Sequence, residues 1–281
     1  ASRVYSGAYP VSGATILGCA GANLAEDESA FFREADPWGF ILFARNVETP
    51  AQVRHLTSAL RDCVGRDAPI FIDQEGGRVA RLTAPQWRDW PPARDQVMSL
   101  PVEEARRAMY LRARLIADEL RAVGVDGNCA PLADIARADT HPVLLNRCYG
   151  DDATTVTTIA RAVAEGCLAG GVLPVLKHIP GHGRATRDSH LDLPRVTASR
   201  AELDATDFAA FAALSDLPLA MTAHVVFNAL DPKRCATQSQ AAIAMIRNAI
   251  GGGCGEHRAV DRRGDCAGRA GPGGSHCSCG V

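Results

Sequence analysis

The fold class follows from the stretch DATTVTTIARAVAEGCLAGGVLPVLKH (Asp152–His178). Its first part, Asp152–Gly170, has the spacing of apolar residues that an amphipathic helix requires. Its second part, Gly171–His178, is a short apolar run without period-2 alternation, which is typical of a strand buried on both faces. Helices that alternate with such strands predict right-handed βαβ units and a parallel sheet.

The same alternation continues on both sides of this stretch. Helical patterns cover Thr49–Asp62, Pro101–Val123 and Ala198–Leu214, and the first of them opens with a Thr-Pro start signal. Short apolar runs separate the helices, at Ala14–Ala20, Gly39–Ala44, Pro69–Asp73, Val123–Ala130 and Leu217–His224. Six strand-like runs by residue 224 favour a (β/α)8 barrel over a small doubly wound sheet.

Polar residues cluster directly after these runs, and in a barrel such positions ring the mouth where the active site forms. They are Arg45, Asn46, Asp73, Gln74, Glu75, Asp134, Lys177, His178 and His224. Two more strand–helix units should follow the sixth strand, but no comparable apolar run is present. The barrel is therefore predicted to be incomplete at its C-terminal end, with strands seven and eight not recognisable.

The composition changes from about Gly251. Residues 251–281 contain ten Gly, four Cys and four Arg but no Leu, Ile or Phe, too little apolar surface to offset the entropy of ordering. We therefore divide the chain into a barrel domain, 1–250, and a Gly/Cys/Arg-rich tail, 251–281. The tail is interpreted either as disordered or as the product of a reading frame lost near Ile250.

The overall composition excludes several classes of protein. A net charge of -2 gives no electrostatic reason to expect nucleic acid or an anionic membrane as a partner. No apolar run reaches the ~18 residues of a membrane span, and Ala1–Gly21 has no pattern of a secretory signal. Cysteines outside the tail are expected to be small buried side chains, and those inside it match no paired zinc-binding spacing. The first group is Cys19, Cys63, Cys129, Cys148, Cys167 and Cys235; the second is Cys254, Cys266, Cys277 and Cys279.

The segment DQEGGRVAR (Asp73–Arg81) directly follows a predicted strand. Its glycines allow a sharp turn and leave room for a ligand. Asp73 can accept two hydroxyl groups, and Arg81 can donate to others. The alternative is an ordinary loop with a surface ion pair.

A second segment, KHIPGHGRATRDSH (Lys177–His190), combines a strand end with a polar loop. Asp188 can orient His190 through Nδ1 and raise its basicity, as a general acid/base requires. A nucleophile–base reading with Ser189 is disfavoured because such close neighbours rarely align as a triad. A metal site formed by His178, His182, Asp188 and His190 stays open as a rival.

A third segment, NRCYG (Asn146–Gly150), could place Arg147 at the mouth, although a solvated loop arginine is the simpler reading. Together these segments resemble glycoside hydrolase family 3, specifically the single-domain bacterial β-N-acetylglucosaminidases of cell-wall recycling. The resemblance covers about residues 10 to 250. Its carriers are GFILFARN (Gly39–Asn46), FIDQEGGRVARL (Phe71–Leu82), NCAPLAD (Asn128–Asp134), NRCYG, KHIPGHGRATRDSHLDLP (Lys177–Pro194) and MTAH (Met221–His224).

The resemblance implies a (β/α)8 barrel that removes terminal β-linked N-acetylglucosamine with retention, without a metal or organic cofactor. His190 paired with Asp188 would be the acid/base, a sensible choice because a neutral His does not repel a carboxylate nucleophile. A muropeptide or chito-oligosaccharide would be the substrate of a cytoplasmic monomer. The residues that would bind the sugar are Asp73, Arg81, Arg147, Lys177 and His178.

The chain departs from the family at the nucleophile. The resemblance places an Asp near position 259, which is Ala259, and the nearby Asp261 and Asp265 lie in Gly/Arg/Cys-rich sequence. Retaining hydrolysis needs that carboxylate about 5 Å from the acid/base group. The nucleophile is therefore unassigned, and two further interpretations stay open: an inactive sugar-binding remnant, and a metal-dependent hydrolase that uses the His/Asp cluster.

Overall fold

The computed structural model describes residues 12–186, 193–250 and 258–260. Its main sheet contains seven parallel strands, and two separate two-stranded sheets are also present. The strands in chain order are Gly13–Leu17 (β1), Pro37–Leu42 (β2), Ile70–Ile72 (β3), Gln74–Gly76 (β4), Val79–Ala80 (β5), Gly127–Asn128 (β6), Leu173–Ile179 (β7), Arg195–Val196 (β8), Leu219–Thr222 (β9), Val226–Phe227 (β10) and Arg258–Val260 (β11).

Helices lie between the strands of the main sheet. They are Glu26–Ala35 (α1), Pro50–Val64 (α2), Ala93–Met98 (α3), Val102–Ala122 (α4), Pro142–Leu145 (α5), Ala153–Ala169 (α6), Arg200–Ala205 (α7), Asp207–Ala212 (α8) and Gln240–Met245 (α9). Short 3-10 turns cover Ala44–Asn46 and Ala236–Gln238, and a π-helical turn covers Ile246–Ile250.

The order of the main sheet is β1-β2-β3-β6-β7-β9-β11, and every neighbouring pair is parallel. Each strand thus pairs with the next one along the chain, apart from the strands of the small sheets. Sequential parallel strands with intervening helices are the arrangement of a (β/α)8 barrel. Among the described residues β1 and β11 end the sheet and no eighth strand is present, so the sheet is a curled, incomplete barrel.

Strand β11 corrects the prediction for strand seven. Arg258–Val260 pairs in parallel with β9, so that Ala259 lies opposite Ala220. The prediction failed because it required a longer apolar run, whereas a three-residue strand is held by main-chain hydrogen bonds to a neighbouring strand already in place. This strand lies inside the segment interpreted as a tail; the rest of that segment, 251–257 and 261–281, is outside the described residues.

The six predicted strands are confirmed, and burial explains the apolar sequence of most of them, while β1 is only partly buried. In β2, Phe40 and Leu42 pack into the large core between sheet and helices, while Ile41 faces the other side. The face of the sheet opposite the helices holds a second, smaller hydrophobic cluster, which is formed by residues of neighbouring strands and by the residue after β6. Its members are Ile41, Phe71, Cys129, Val175, Leu219 and Met221.

Helices α2, α4 and α6 confirm three of the four predicted helices. Thr49 caps α2 by accepting from the Gln52 N–H, and Asp152 caps α6 by accepting from the Thr155 N–H. Helices α4 and α6 pack closely because Gly166 leaves room for the main chain of Tyr110; a Cβ there would also lie 2.8 Å from the Cβ of Ala113.

The fourth predicted helix, Ala198–Leu214, is divided in the structure. Helix α7 ends at Ala205 and α8 begins at Asp207, because Thr206 has φ -128 and ψ -85, outside the helical region. The break brings the Asp207 carboxylate into a buried position next to Arg184. Helices α1, α3, α5 and α9 were not predicted. No helix in the described ranges combines the length and apolarity needed to cross a bilayer.

Candidate active site

Asp73 and Lys177 form the centre of the candidate site, at the carboxyl ends of β3 and β7. The Lys177 ammonium donates to Asp73 Oδ1 at 2.8 Å and also contacts Glu75 Oε1. The side chain of Lys177 is fully buried, and that of Asp73 is 2% exposed. A buried charge pair of this kind needs its hydrogen bonds, so the two strand ends are fixed relative to each other.

Glu75 is the second carboxylate of the site, and sequence reasoning gave it no role. Arg147 binds it in a two-pronged geometry, with Nε–H donating to Oε2 at 2.9 Å and Nη2–H donating to Oε1 at 2.8 Å. Burial alone would raise the pKa of Glu75, but the charges of Arg147 and Lys177 lower it to about 2. Burial likewise opposes the charge of Arg147, yet Glu75 holds the pKa of Arg147 above its usual range.

The loop between β3 and β5 is held by the side chain of Gln74. Its Oε1 accepts from the main-chain N–H groups of Arg81 and Leu82, and its Nε2 donates to the Leu82 carbonyl at 2.8 Å. Asn128 exchanges two hydrogen bonds with the main chain of Gln74. Gly76 has φ +101, and its missing Cβ leaves room for the guanidinium of Arg112.

Arg81 lies at the edge of this group, with Nη2 at 3.5 Å from Asp73 Oδ2. Its side chain is 11% exposed, and Arg147 as a residue is 8% exposed. Both arginines are therefore largely buried, which corrects the simpler readings of a surface ion pair and a solvated loop arginine. The structure brings together four of the five predicted sugar-binding residues, Asp73, Arg81, Arg147 and Lys177.

His178, the fifth predicted sugar-binding residue, is paired with Asp134. Its Nδ1 lies 2.7 Å from Asp134 Oδ2, and the main-chain N–H of His182 donates to Asp134 Oδ1 at 2.6 Å. Burial raises the pKa of Asp134, although His182 and the main-chain N–H groups of His178 and His182 oppose the rise. The rings of His178 and His182 meet edge-on, with centroids 5.4 Å apart. Sequence reasoning noted Asp134 only as a polar residue after a strand.

The loop that follows β7 is anchored to two neighbouring segments. Gly183 packs against the main chain of Ile135, where a Cβ would not fit, and its carbonyl accepts from the Thr140 hydroxyl. Arg184 Nε–H donates to the buried Asp207 at 2.7 Å. These contacts hold the Pro-Gly-His-Gly turn in place as far as residue 186.

His224 follows β9 and is exposed at the same end of the sheet. Its Nδ1 lies 3.5 Å from the Cys235 sulfur, which also lies 3.6 Å from Gln238 Oε1. Cys235 is buried, as are Cys19, Cys129, Cys148 and Cys167, while Cys63 is half-buried, in agreement with the prediction for these cysteines.

The predicted acid/base pair, Asp188 and His190, lies outside the described residues, as do Ser189, Asp261 and Asp265. The metal-site rival shares Asp188 and His190 with this pair, and its other two members are His178 and His182. Within 12–186, 193–250 and 258–260, no three His, Cys, Asp or Glu side chains form a group that could hold a metal ion. Of the two described members of that rival, His178 pairs its ring Nδ1 with Asp134, and His182 bonds the same carboxylate through its main-chain N–H.

Comparison with known proteins places the chain in a family. Residues 17–252 match the family described as "Glycosyl hydrolase family 3 N terminal domain". A beta-hexosaminidase of Alkalilimnicola ehrlichii is 35% identical over 223 residues, which cover 78% of this chain and 64% of that relative, so less than two thirds of its length is matched. A beta-hexosaminidase of Xylella fastidiosa is 32% identical over 240 residues, 84% of this chain and 71% of that relative.

Solved structures agree with these relatives. NagZ from Neisseria gonorrhoeae, in complex with N-trifluoroacetyl-D-glucosamine, superposes with a TM-score of 0.80 at 29% identity. The superposition covers 89% of this chain and 73% of that protein. A family match over most of the chain, with the six predicted strands in barrel order, leads to one conclusion: the chain belongs to glycosyl hydrolase family 3.

Proposed function

We propose that the protein descends from, and acts as, a retaining glycoside hydrolase that removes terminal non-reducing β-linked N-acetylglucosamine. The observation that carries this proposal is the buried group of Asp73, Lys177, Glu75 and Arg147, two carboxylates matched by two cations. Such a group offers donors and acceptors without a large net charge, which suits the hydroxyl and amide groups of a neutral sugar.

The known relatives support the same substrate class. Two of them are named beta-hexosaminidase, and the solved NagZ structure holds an N-acylated glucosamine. In the proposal Asp73, Arg81, Arg147, Lys177 and His178 bind the sugar. The aglycone is a peptidoglycan fragment, and the enzyme is a cytoplasmic monomer that needs no cofactor.

The proposed chemistry uses His190, oriented by Asp188, as acid and then as base. A carboxylate attacks C1 of the sugar, and the glycosidic C1–O bond breaks as His190 gives its proton to the departing oxygen. Water then attacks C1, His190 takes the proton of that water, and the C1–carboxylate bond breaks. The carboxylate has no assigned position in this chain, and Asp261, the residue after β11 in the sequence, is the first place to look, followed by Asp265.

Hydrolysis of a chromogenic β-N-acetylglucosaminide, with His190→Ala assayed alongside, tests the proposal. Release of the chromophore that falls by about 10²–10⁴-fold in the variant supports it, because positioned acid/base groups contribute about that much. Activity that survives in His190→Ala would refute the proposed acid/base.

If the chain is inactive, two further measurements distinguish a corrupted C-terminal segment from an inactive sugar-binding remnant. Activity restored by shifting the reading frame after Ile250 would assign the loss to residues 251–281. Calorimetric binding of N-acetylglucosamine without turnover would identify a sugar-binding remnant, and absence of both binding and turnover would overturn the proposal.

A further inference from the structure

We propose that Glu75 is a positioning residue, which orients the two cations of the sugar site and keeps that site selective for uncharged sugars. The inference rests on the proposed function and deepens it. Its basis is a geometric one: the carboxylate of Glu75 contacts both Arg147 and Lys177. No role for it follows from the sequence resemblance.

The contacts of Glu75 fix which donors are left for a ligand. The ammonium of Lys177 has three N–H donors, and Asp73 and Glu75 take two of them. The guanidinium of Arg147 has five N–H donors, and its two-pronged pairing with Glu75 takes the Nε–H and one on Nη2. The planar pairing also fixes the plane of the guanidinium, which a flexible cation would not maintain.

Burial makes this arrangement dependent on Glu75. The side chain of Glu75 is 4% exposed, and those of Arg147 and Lys177 are 9% and 0% exposed. Water therefore cannot replace the carboxylate, and removing one partner of a buried charge pair leaves the other uncompensated. The groups that face Glu75 are Asp73 from β3, Lys177 from β7, Arg147 and Tyr149 after α5, and Arg112 from α4.

The charge balance also bears on specificity. With Glu75 ionised, Asp73 and Glu75 offset Lys177 and Arg147, so the four charges at the centre of the site sum to zero. Replacing Glu75 by a neutral residue of the same shape would leave one positive charge in excess at the centre of the site. An acidic sugar would then gain relative to a neutral one, because charges in a poorly hydrated site interact strongly.

The experiment is calorimetric titration of the full chain with N-acetylglucosamine and with its 6-phosphate. The variants are Glu75→Gln and Glu75→Asp, and the matched control is Asp216→Asn. Asp216 also binds an arginine, Arg161, through two oxygens, but it lies in the segment before β9, at the opposite end of the strands.

We expect Glu75→Gln to weaken N-acetylglucosamine binding by about tenfold or more at unchanged stoichiometry. We also expect the affinity of this variant for the 6-phosphate to rise relative to its affinity for N-acetylglucosamine. Glu75→Asp keeps the charge on a shorter side chain, so its affinity should be intermediate and its ratio should stay near that of the wild type. Asp216→Asn should change neither the affinity for N-acetylglucosamine nor the ratio of the affinities for the two sugars.

A purely structural role gives a different result. Partial unfolding of Glu75→Gln lowers the stoichiometry and leaves the dissociation constant of the folded fraction unchanged, which would overturn the inference. If Glu75→Gln does not fold, Glu75→Asp decides: an unchanged dissociation constant overturns the inference, and a raised one at full stoichiometry supports it. If the wild-type chain binds neither sugar, the proposed function and this inference are both overturned. If the wild type binds N-acetylglucosamine and Glu75→Gln binds it equally well, the inference alone is overturned.

Discussion

Nδ1 of His178 lies 2.7 Å from Oδ2 of Asp134, a carboxylate with no exposed surface. The same carboxylate accepts from the main-chain N–H of His182, so one aspartate holds both ends of the turn that follows β7. A carboxylate on Nδ1 fixes the orientation of an imidazole ring and directs Nε2 away from it. The orientation of His178 in the sugar site therefore depends on Asp134.

Asp134 should make the stability of the protein depend on pH. An aspartate in an unfolded chain has a pKa of about 3.9, and burial raises the pKa of Asp134 in the folded state. The folded state then holds more protons than the unfolded one, so the contribution of Asp134 to stability is lost as pH rises from about 4 through the raised pKa. We expect the melting temperature of the wild type, minus that of Asp134→Asn, to fall over this range. A difference that is constant with pH would contradict the prediction.

Glu75 should have the opposite dependence. Its unfolded pKa is about 4.3, and although burial opposes ionisation, Arg147 and Lys177 lower the pKa to about 2 in the folded protein. Its contribution to stability is then present above about pH 4.3 and is lost as pH falls toward 2. We expect the melting temperature of the wild type, minus that of Glu75→Gln, to decrease as the solution is acidified. An increase on acidification would show that the ion pair does not form.

Gly166→Ala should destabilise the fold at the contact between α4 and α6. The added Cβ would lie 2.8 Å from the Cβ of Ala113 and closer still to the Tyr110 carbonyl, so one helix must move. Overpacking of this kind costs about 1–3 kcal/mol, measurable as a shift in the urea midpoint. Gly21→Ala is the control, because a Cβ there meets nothing within 4 Å. Equal midpoints for the two variants would rule out this packing.

Strong chelators should leave sugar hydrolysis unchanged. Among the described residues no three potential ligands form a metal-binding group, and the ring of His178 is paired with Asp134. A rate measured after dialysis against a chelator should equal the untreated rate within error. Loss of activity that returns on addition of zinc would favour the metal-dependent alternative.

Most of the strands were predictable from sequence because they are buried on both faces and so consist largely of apolar residues, although β1 is only partly buried. Strand β7 is an example: the predicted Gly171–His178 and the observed Leu173–Ile179 nearly coincide. The helix over Ala198–Leu214 was predicted as one unit because its apolar spacing does not reveal the break at Thr206. That break depends on Asp207 meeting Arg184 and Arg137, which are distant in sequence.

The site was predictable where a polar residue lies at the carboxyl end of a strand, as Asp73 and Lys177 do. The pairings between these residues were not, since nothing in the sequence shows that Arg147 reaches Glu75 across 72 positions. The pairing of Asp134 with His178 was not predicted for a similar reason. Asp134 occurs alone after a loop of apolar residues, and its role becomes evident only from the turn that folds back over it.

The end strands of the main sheet have a consequence for the motions of the protein. In the described part of the chain β1 bonds only to β2, and β11 only to β9, whereas β3, β6 and β7 have partners on both sides. A closed ring of strands has no preferred place to open, but a sheet with two ends frays from those ends. Amide hydrogen exchange should therefore be fastest in Gly13–Leu17 and Arg258–Val260 and slowest in Leu173–Ile179, the strand that carries Lys177.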